Sequence, residues 1–181
     1  MVLPKVKLHQ FFFYFLILFL PTQFGKHFWP DWTMVYGLRL DYLSPTLYLT
    51  DIIIIGILVS WAIEKFEIFN FKKYKWWLLF FVYLFFSCLL ANNQPAAFYK
   101  FFKLAEFFLL GFYIAKNIAI DKLFNCSIAT AVIYSSLIAI FQFIKQGSIG
   151  GIFYWLGERS FTAGTSGIAQ TIWNGRLLLR P

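Results

Sequence analysis

The sequence predicts an all-α integral membrane protein of about five transmembrane helices, with a cytoplasmic N-terminus and an outer C-terminal segment carrying a short β-hairpin. Three observations predict it. Of 181 residues, 60% are hydrophobic and only 13% charged, with a mean hydropathy of +0.68; a soluble globular domain is nearer half apolar and a quarter charged. The apolar residues come in long blocks such as FFFYFLILFL and WWLLFFVYLFF, as membrane spans require. The basic residues mostly flank those blocks, so the net charge of +8 reads as topology signals and contacts to anionic lipid, not as a nucleic-acid footprint.

The first span is expected at about 6–20. Lys5, Lys7 and His9 precede its apolar run, and Pro21 ends it. A basic start and short apolar run resemble a signal peptide, but PTQFG offers no small-x-small cleavage site, so an uncleaved span is expected. Residues 21–44 form a long connection in which Trp29, Trp32, Tyr36 and Tyr42 suit a headgroup belt. Connections of that length are often functional. His27 within it is a candidate acid/base or phosphate-binding group, against the commoner reading of a lone histidine that is neither. Ser44-Pro45 reads as an N-cap followed by proline at the first helical position, opening a second span at 45–63.

The most basic loop follows, with Lys65, Lys72, Lys73 and Lys75, and leads into a third span at 75–91. A tight turn at 92–95 opens a fourth at 96–115. Lys116, Asp121 and Lys122 mark the next loop, and a fifth span is expected at 123–144. Asn125-Cys126-Ser127 matches a glycosylation sequon in form only, since it lies at a span end. Lysine counting sets the orientation: an inside N-terminus keeps the KKYK cluster inside, as the positive-inside rule requires. Cys88 and Cys126 then fall near opposite leaflets, beyond the roughly 7 Å reach of a disulfide. Neither a CxxC pair nor a Cys/His cluster is present, so neither metal nor cofactor is expected.

The fourth span carries the anomaly. Lys100, Lys103 and Glu106 fall on neighbouring turns of one broad face, inside a stretch where ionisable groups are costly and often functional. Two readings stand: the lysines snorkel to headgroups while Glu106 pairs with Lys103, or the site awaits an anion. Asp51, about 9 Å into the second span, either interacts with its own helix N-terminus or partners one of these lysines. All four arginines, Arg39, Arg159, Arg176 and Arg180, fall in outer segments, where the guanidinium fork suits phosphate. In the tail, 147–181, Phe153 to Leu156 suit the membrane interface, and Asn174-Gly175 between apolar runs signals a hairpin. The chain stops just after an arginine-bearing strand has begun, which reads as the start of a truncated outer loop.

Three stretches resemble the bacterial O-antigen ligase and O-antigen polymerase-like membrane glycosyltransferases. They are FLPTQFGKHFWPDW with GLRLDYLSPTLYLTD, the Lys-x-x-Lys-x-x-Glu span from Lys100 to Glu106, and LGERSFTAGTSGIAQ through NGRLLLRP. The resemblance covers essentially the whole chain, but only as the N-terminal half of a family member. It implies transfer of glycan from an undecaprenyl-diphosphate carrier to a glycan, lipid or protein acceptor at the outer leaflet of the bacterial plasma membrane, without metal. By the same analogy Lys100, Lys103, Arg159, Arg176 and Arg180 would bind the diphosphate, supported by Asp51 and Glu106. The catalytic residues would lie in the missing half, leaving this part inactive alone. Two other classes remain: half of a transporter or flippase, with Asp51, Lys100, Lys103 and Glu106 as coupling groups, and a non-enzymatic membrane scaffold whose charges pair with each other. Lys100→Glu separates them, abolishing glycan transfer, altering transport coupling, or leaving a scaffold untouched.

Overall fold

In the computed structural model of the chain the described residues are 7–22, 24–39, 43–64, 71–156, 158, 162, 164, 169–173 and 176–180, with backbone alone at 39, 71–74, 155, 173, 176, 177 and 180. They form two compact units. One comprises Met1–Phe12 and Gly25–Ile118, the other Phe13–Phe24 and Ala119–Pro181. Helix α1, Leu8–Phe19, therefore contributes its first turn to one unit and the rest to the other.

In the first unit, β1 (Gly25–His27) pairs antiparallel with β4 (Thr46–Tyr48), Gly25 opposite Tyr48 and His27 opposite Thr46. Glycine is needed at position 25 because a Cβ there would stand 2.6 Å from the Tyr48 ring. Between these strands a single turn of 3₁₀ helix, Asp31–Thr33, leads into β2 (Met34–Val35) and β3 (Leu38–Arg39). The loop joining β2 to β3 is Tyr36-Gly37, both at positive φ, the geometry that a tight two-residue hairpin selects.

Helix α2 (Leu49–Glu64) follows β4 directly, and Ile53, Ile54, Ile57 and Ser60 form its buried stripe. The α1 side chain Phe12 packs over Gly56 of that helix. Helix α3 (Phe71–Leu89) and α4 (Gln94–Asn117) run antiparallel, zipped by aromatic pairs: Trp77–Phe108 and Phe81–Phe108 at 5.0 Å, Phe85–Phe101 at 6.0 Å, Phe85–Phe98 at 5.7 Å. Asn93 caps α4 by accepting from the Ala96 N–H, and its amide also donates to the Trp32 carbonyl. Buried His9 donates to or accepts from the Tyr113 hydroxyl at 2.7 Å, and Trp61 meets the Tyr113 ring edge-on.

The second unit is built on α5 (Lys122–Lys145), capped by Asp121, whose carboxylate accepts from the Phe124 N–H at 2.8 Å. The Tyr134 hydroxyl of α5 donates to the Leu18 carbonyl of α1, and Phe124 stacks on Phe13. Beyond a short helix, α6 (Ile152–Trp155), the strands β5 (Ala169–Trp173) and β6 (Arg176–Arg180) pair antiparallel with Trp173 opposite Arg176. The Asn174-Gly175 turn itself lies outside the described residues.

The five-span expectation is overturned. Among the described residues only α5 is both long and apolar enough to cross a membrane. With 12 and 16 residues, α1 and α2 reach about 18 and 24 Å at 1.5 Å per residue, short of a hydrocarbon layer of about 30 Å. The second span is shortened because residues 46–48 form a strand, so helix starts at Leu49 and not Pro45. In α3 the helix incorporates Lys72, Lys73 and Lys75, leaving a short apolar stretch, Lys75–Leu89. Helix α4 has the length, with 24 residues, but Lys100, Lys103 and Glu106 sit in its middle turns. Orientation by lysine counting rested on five alternating spans and lapses with them.

Candidate functional site

The first unit contains a cleft of about 250 Å³ walled by Phe28, Pro45, Leu47, Ile55, Tyr99 and Phe102, with Thr46, Asp51, Lys103 and Glu106 also lining it. Three elements supply it, and each has a local reason to be where it is. The β1–β4 pairing brings Phe28 alongside, since its N–H donates to the Pro45 carbonyl at 2.9 Å. Tyr99 of α4 clamps β4, its hydroxyl accepting from the Thr46 N–H and donating to the Thr46 carbonyl, both at 3.0 Å. The start of α2 places Asp51, which accepts from the Tyr48 N–H at 2.7 Å, so a side chain three residues into the turn satisfies a donor ahead of the helix.

The Lys103 ammonium is held by Asp51 in direct contact with Oδ2, lies 3.6 Å from Glu106 Oε2, and sits 5.8 Å from the centre of the Tyr48 ring. Asp51 is almost fully buried at 4% side-chain exposure, and Lys103 keeps 20%. Two carboxylates face one ammonium, so Lys103 has no unmatched positive charge to offer. The other carboxylate oxygen, Glu106 Oε1, is buried and has no hydrogen-bond partner among the described residues.

Beside the cleft, exposed His27 is anchored through Nδ1, 3.0 Å from the Ser44 hydroxyl and 2.9 Å from that of Thr46, and its ring stacks on Trp29. Thr46 also donates to the Ser44 carbonyl at 3.3 Å, so the two hydroxyls and the imidazole form one hydrogen-bonded cluster. Ser44 therefore serves the histidine and not a helix N-terminus. This cluster was not read from the sequence; it depends on β1–β4 register, for which GKH and TLY carry no alternation long enough to recognise.

Of the residues expected to form a site, Asp51, Lys103 and Glu106 come together. Lys100 is exposed on α4 and makes no ion pair among the described residues. Arg159 lies outside them, as do the side chains of Arg176 and Arg180, whose backbones form the two ends of β6 in the other unit. No protein-family model, characterised protein or solved structure matches the chain.

Chemically, the cleft offers hydrogen-bond acceptors at the base of aromatic and aliphatic walls, in the manner of small-ligand sites. Lys103 is already neutralised by its partners, so it is not a bare cation in wait for an anion.

Proposed function

We propose that the chain is part of a membrane glycosyltransferase, moving glycan from an undecaprenyl-diphosphate carrier to a glycan, lipid or protein acceptor at the bacterial plasma membrane. One observation carries the reading. Two of the three stretches that resemble such enzymes, Phe19 to Asp51 and Lys100 to Glu106, converge on a single cleft through Thr46, Asp51, Lys103 and Glu106. The long apolar α5 and the exposed aromatic flank of α3, including Trp76, Trp77, Phe80, Tyr83 and Phe86, support a bilayer setting. In this reading exposed Lys100 would contribute to holding the diphosphate, where cations stabilise the charge that grows on the leaving group.

A scaffold role is the second reading, favoured by the contact of Lys103 with Asp51, which satisfies a buried charge without any ligand. Deleting the gene separates the two. Glycan transfer requires that deletion depletes high-molecular-weight surface glycan and accumulates the undecaprenyl-diphosphate-linked precursor; unchanged glycan and precursor would refute it. Lys100→Glu should reproduce the deletion, whereas a scaffold tolerates it.

A further inference from the structure

The cleft around Asp51, Lys103 and Glu106 offers the diphosphate no unpaired cation and suits a different part of the reaction. We propose that it binds a neutral, hydroxyl-bearing ring, a single sugar unit, with the Glu106 carboxylate, which lines the cleft, accepting a hydrogen bond from one of its hydroxyls. Identifying that sugar with the acceptor rests on the glycosyltransferase reading; the binding itself does not.

The choice of ligand follows from what the cleft rejects. A diphosphate would approach two carboxylates whose one counterion is already in contact with Asp51, and like charges repel strongly where water is scarce. A cationic ligand reaching Glu106 would come close to the Lys103 ammonium, which lies 3.6 Å from Glu106 Oε2. A neutral donor meets neither penalty. Oε1 is a buried acceptor with no partner among the described residues, and an unpaired buried acceptor is costly until a donor arrives. Size agrees, because about 250 Å³ lies just below the roughly 300–1,000 Å³ of sites for drug-sized ligands, room for one ring and not for a lipid-linked oligosaccharide. The walls offer aromatic surface from Phe28 and Phe102, against which the apolar face of a sugar ring can lie.

The test uses the chain in lipid nanodiscs, titrated with methyl glycosides of the common hexoses and N-acetylhexosamines and followed by saturation-transfer NMR. At least one glycoside should bind saturably in the millimolar range. Glu106→Ala and Phe102→Ala should each weaken it at least tenfold, and inorganic pyrophosphate should not compete. Glu106→Ala removes an oxygen without a partner together with the longer of the two carboxylate contacts to Lys103, which keeps Asp51, and unchanged thermal unfolding would document that the fold survives. Absence of binding by every glycoside, indifference to both substitutions, or competition by pyrophosphate would each overturn the proposal. Glycoside binding in a chain whose deletion leaves surface glycan unaltered would uphold the site and refute the transferase reading. Normal transfer with an unaltered acceptor KM in Glu106→Ala would do the reverse.

Discussion

Asp51 and Lys103 are in direct contact in the cleft, Asp51 almost fully buried and Lys103 one-fifth exposed. Removing one partner of a buried pair strands a charge and costs about 3–5 kcal/mol; with Lys103 one-fifth exposed, about 2–3 kcal/mol is expected for Asp51→Ala. The double variant Asp51→Ala/Lys103→Met should be less destabilised than the sum of the singles, as measured by a denaturant double-mutant cycle. Strict additivity would show that the pair contributes nothing.

Glu158 poses a different problem. Burial alone would raise its titration point, but hydrogen bonds from the Ile149 and Gly150 N–H groups and from the Gln142 amide, with the nearby Lys145 charge, hold it below the ordinary value of 4.5. Its ionised form therefore stabilises the fold at and above that pH, and the contribution is lost as pH falls below 4.5 through the folded value. Glu158→Gln should flatten the dependence of unfolding on pH in that acidic window, and an unchanged slope would contradict the assignment. At this level the sequence was partly readable. Asp51, Lys103 and Glu106 stood out because charge inside apolar runs is conspicuous, whereas nothing in the sequence singles out Glu158, and His27 stood as a lone histidine. Their partners are backbone amides and hydroxyls brought in by folding, which leave no spacing signature.

The strands and caps set how the cleft is built. Gly25 lies against the Tyr48 ring, so Gly25→Val should force the ring aside and unpair β1 from β4. A cost of about 1–3 kcal/mol is expected, as for other overpacked positions, with hydrogen exchange accelerating at the Phe28 amide. Normal protection there would show that the strand pair tolerates the side chain. Asn93→Ala removes both the α4 cap and the donor to Trp32, and about 1 kcal/mol or more should be lost in thermal unfolding. Helix existence was legible here from apolar runs, and the hairpin of β5 and β6 from Asn174-Gly175 between two such runs. The three-residue strands were not, because a period of two cannot be recognised over so few positions. That is also why Ser44-Pro45 read as a helix start: the intervening strand uses residues that a helix would equally accept.

Taken as a chain, the molecule is apolar out of proportion to what its described helices need for packing. Composition announced the apolar character, but counting spans from it failed, because short helices, strands and charges divide the apolar runs below bilayer thickness. α3 exposes a run of large apolar side chains, among them Trp76, Trp77, Tyr83, Phe86 and Leu89, the kind of surface that marks an interaction or membrane site. The full chain is therefore expected to stay with the membrane pellet through alkaline carbonate extraction, and its release into the supernatant would argue against a bilayer setting. The decisive measurement is glycan transfer in membranes carrying the gene, from undecaprenyl-diphosphate-linked glycan to its acceptor, compared between the native protein and Glu106→Ala. A loss of at least a hundredfold in kcat/KM, with protein abundance unchanged, is the expected result. Equal transfer by the two would contradict a working cleft at Asp51, Lys103 and Glu106 and leave those charges as partners to one another.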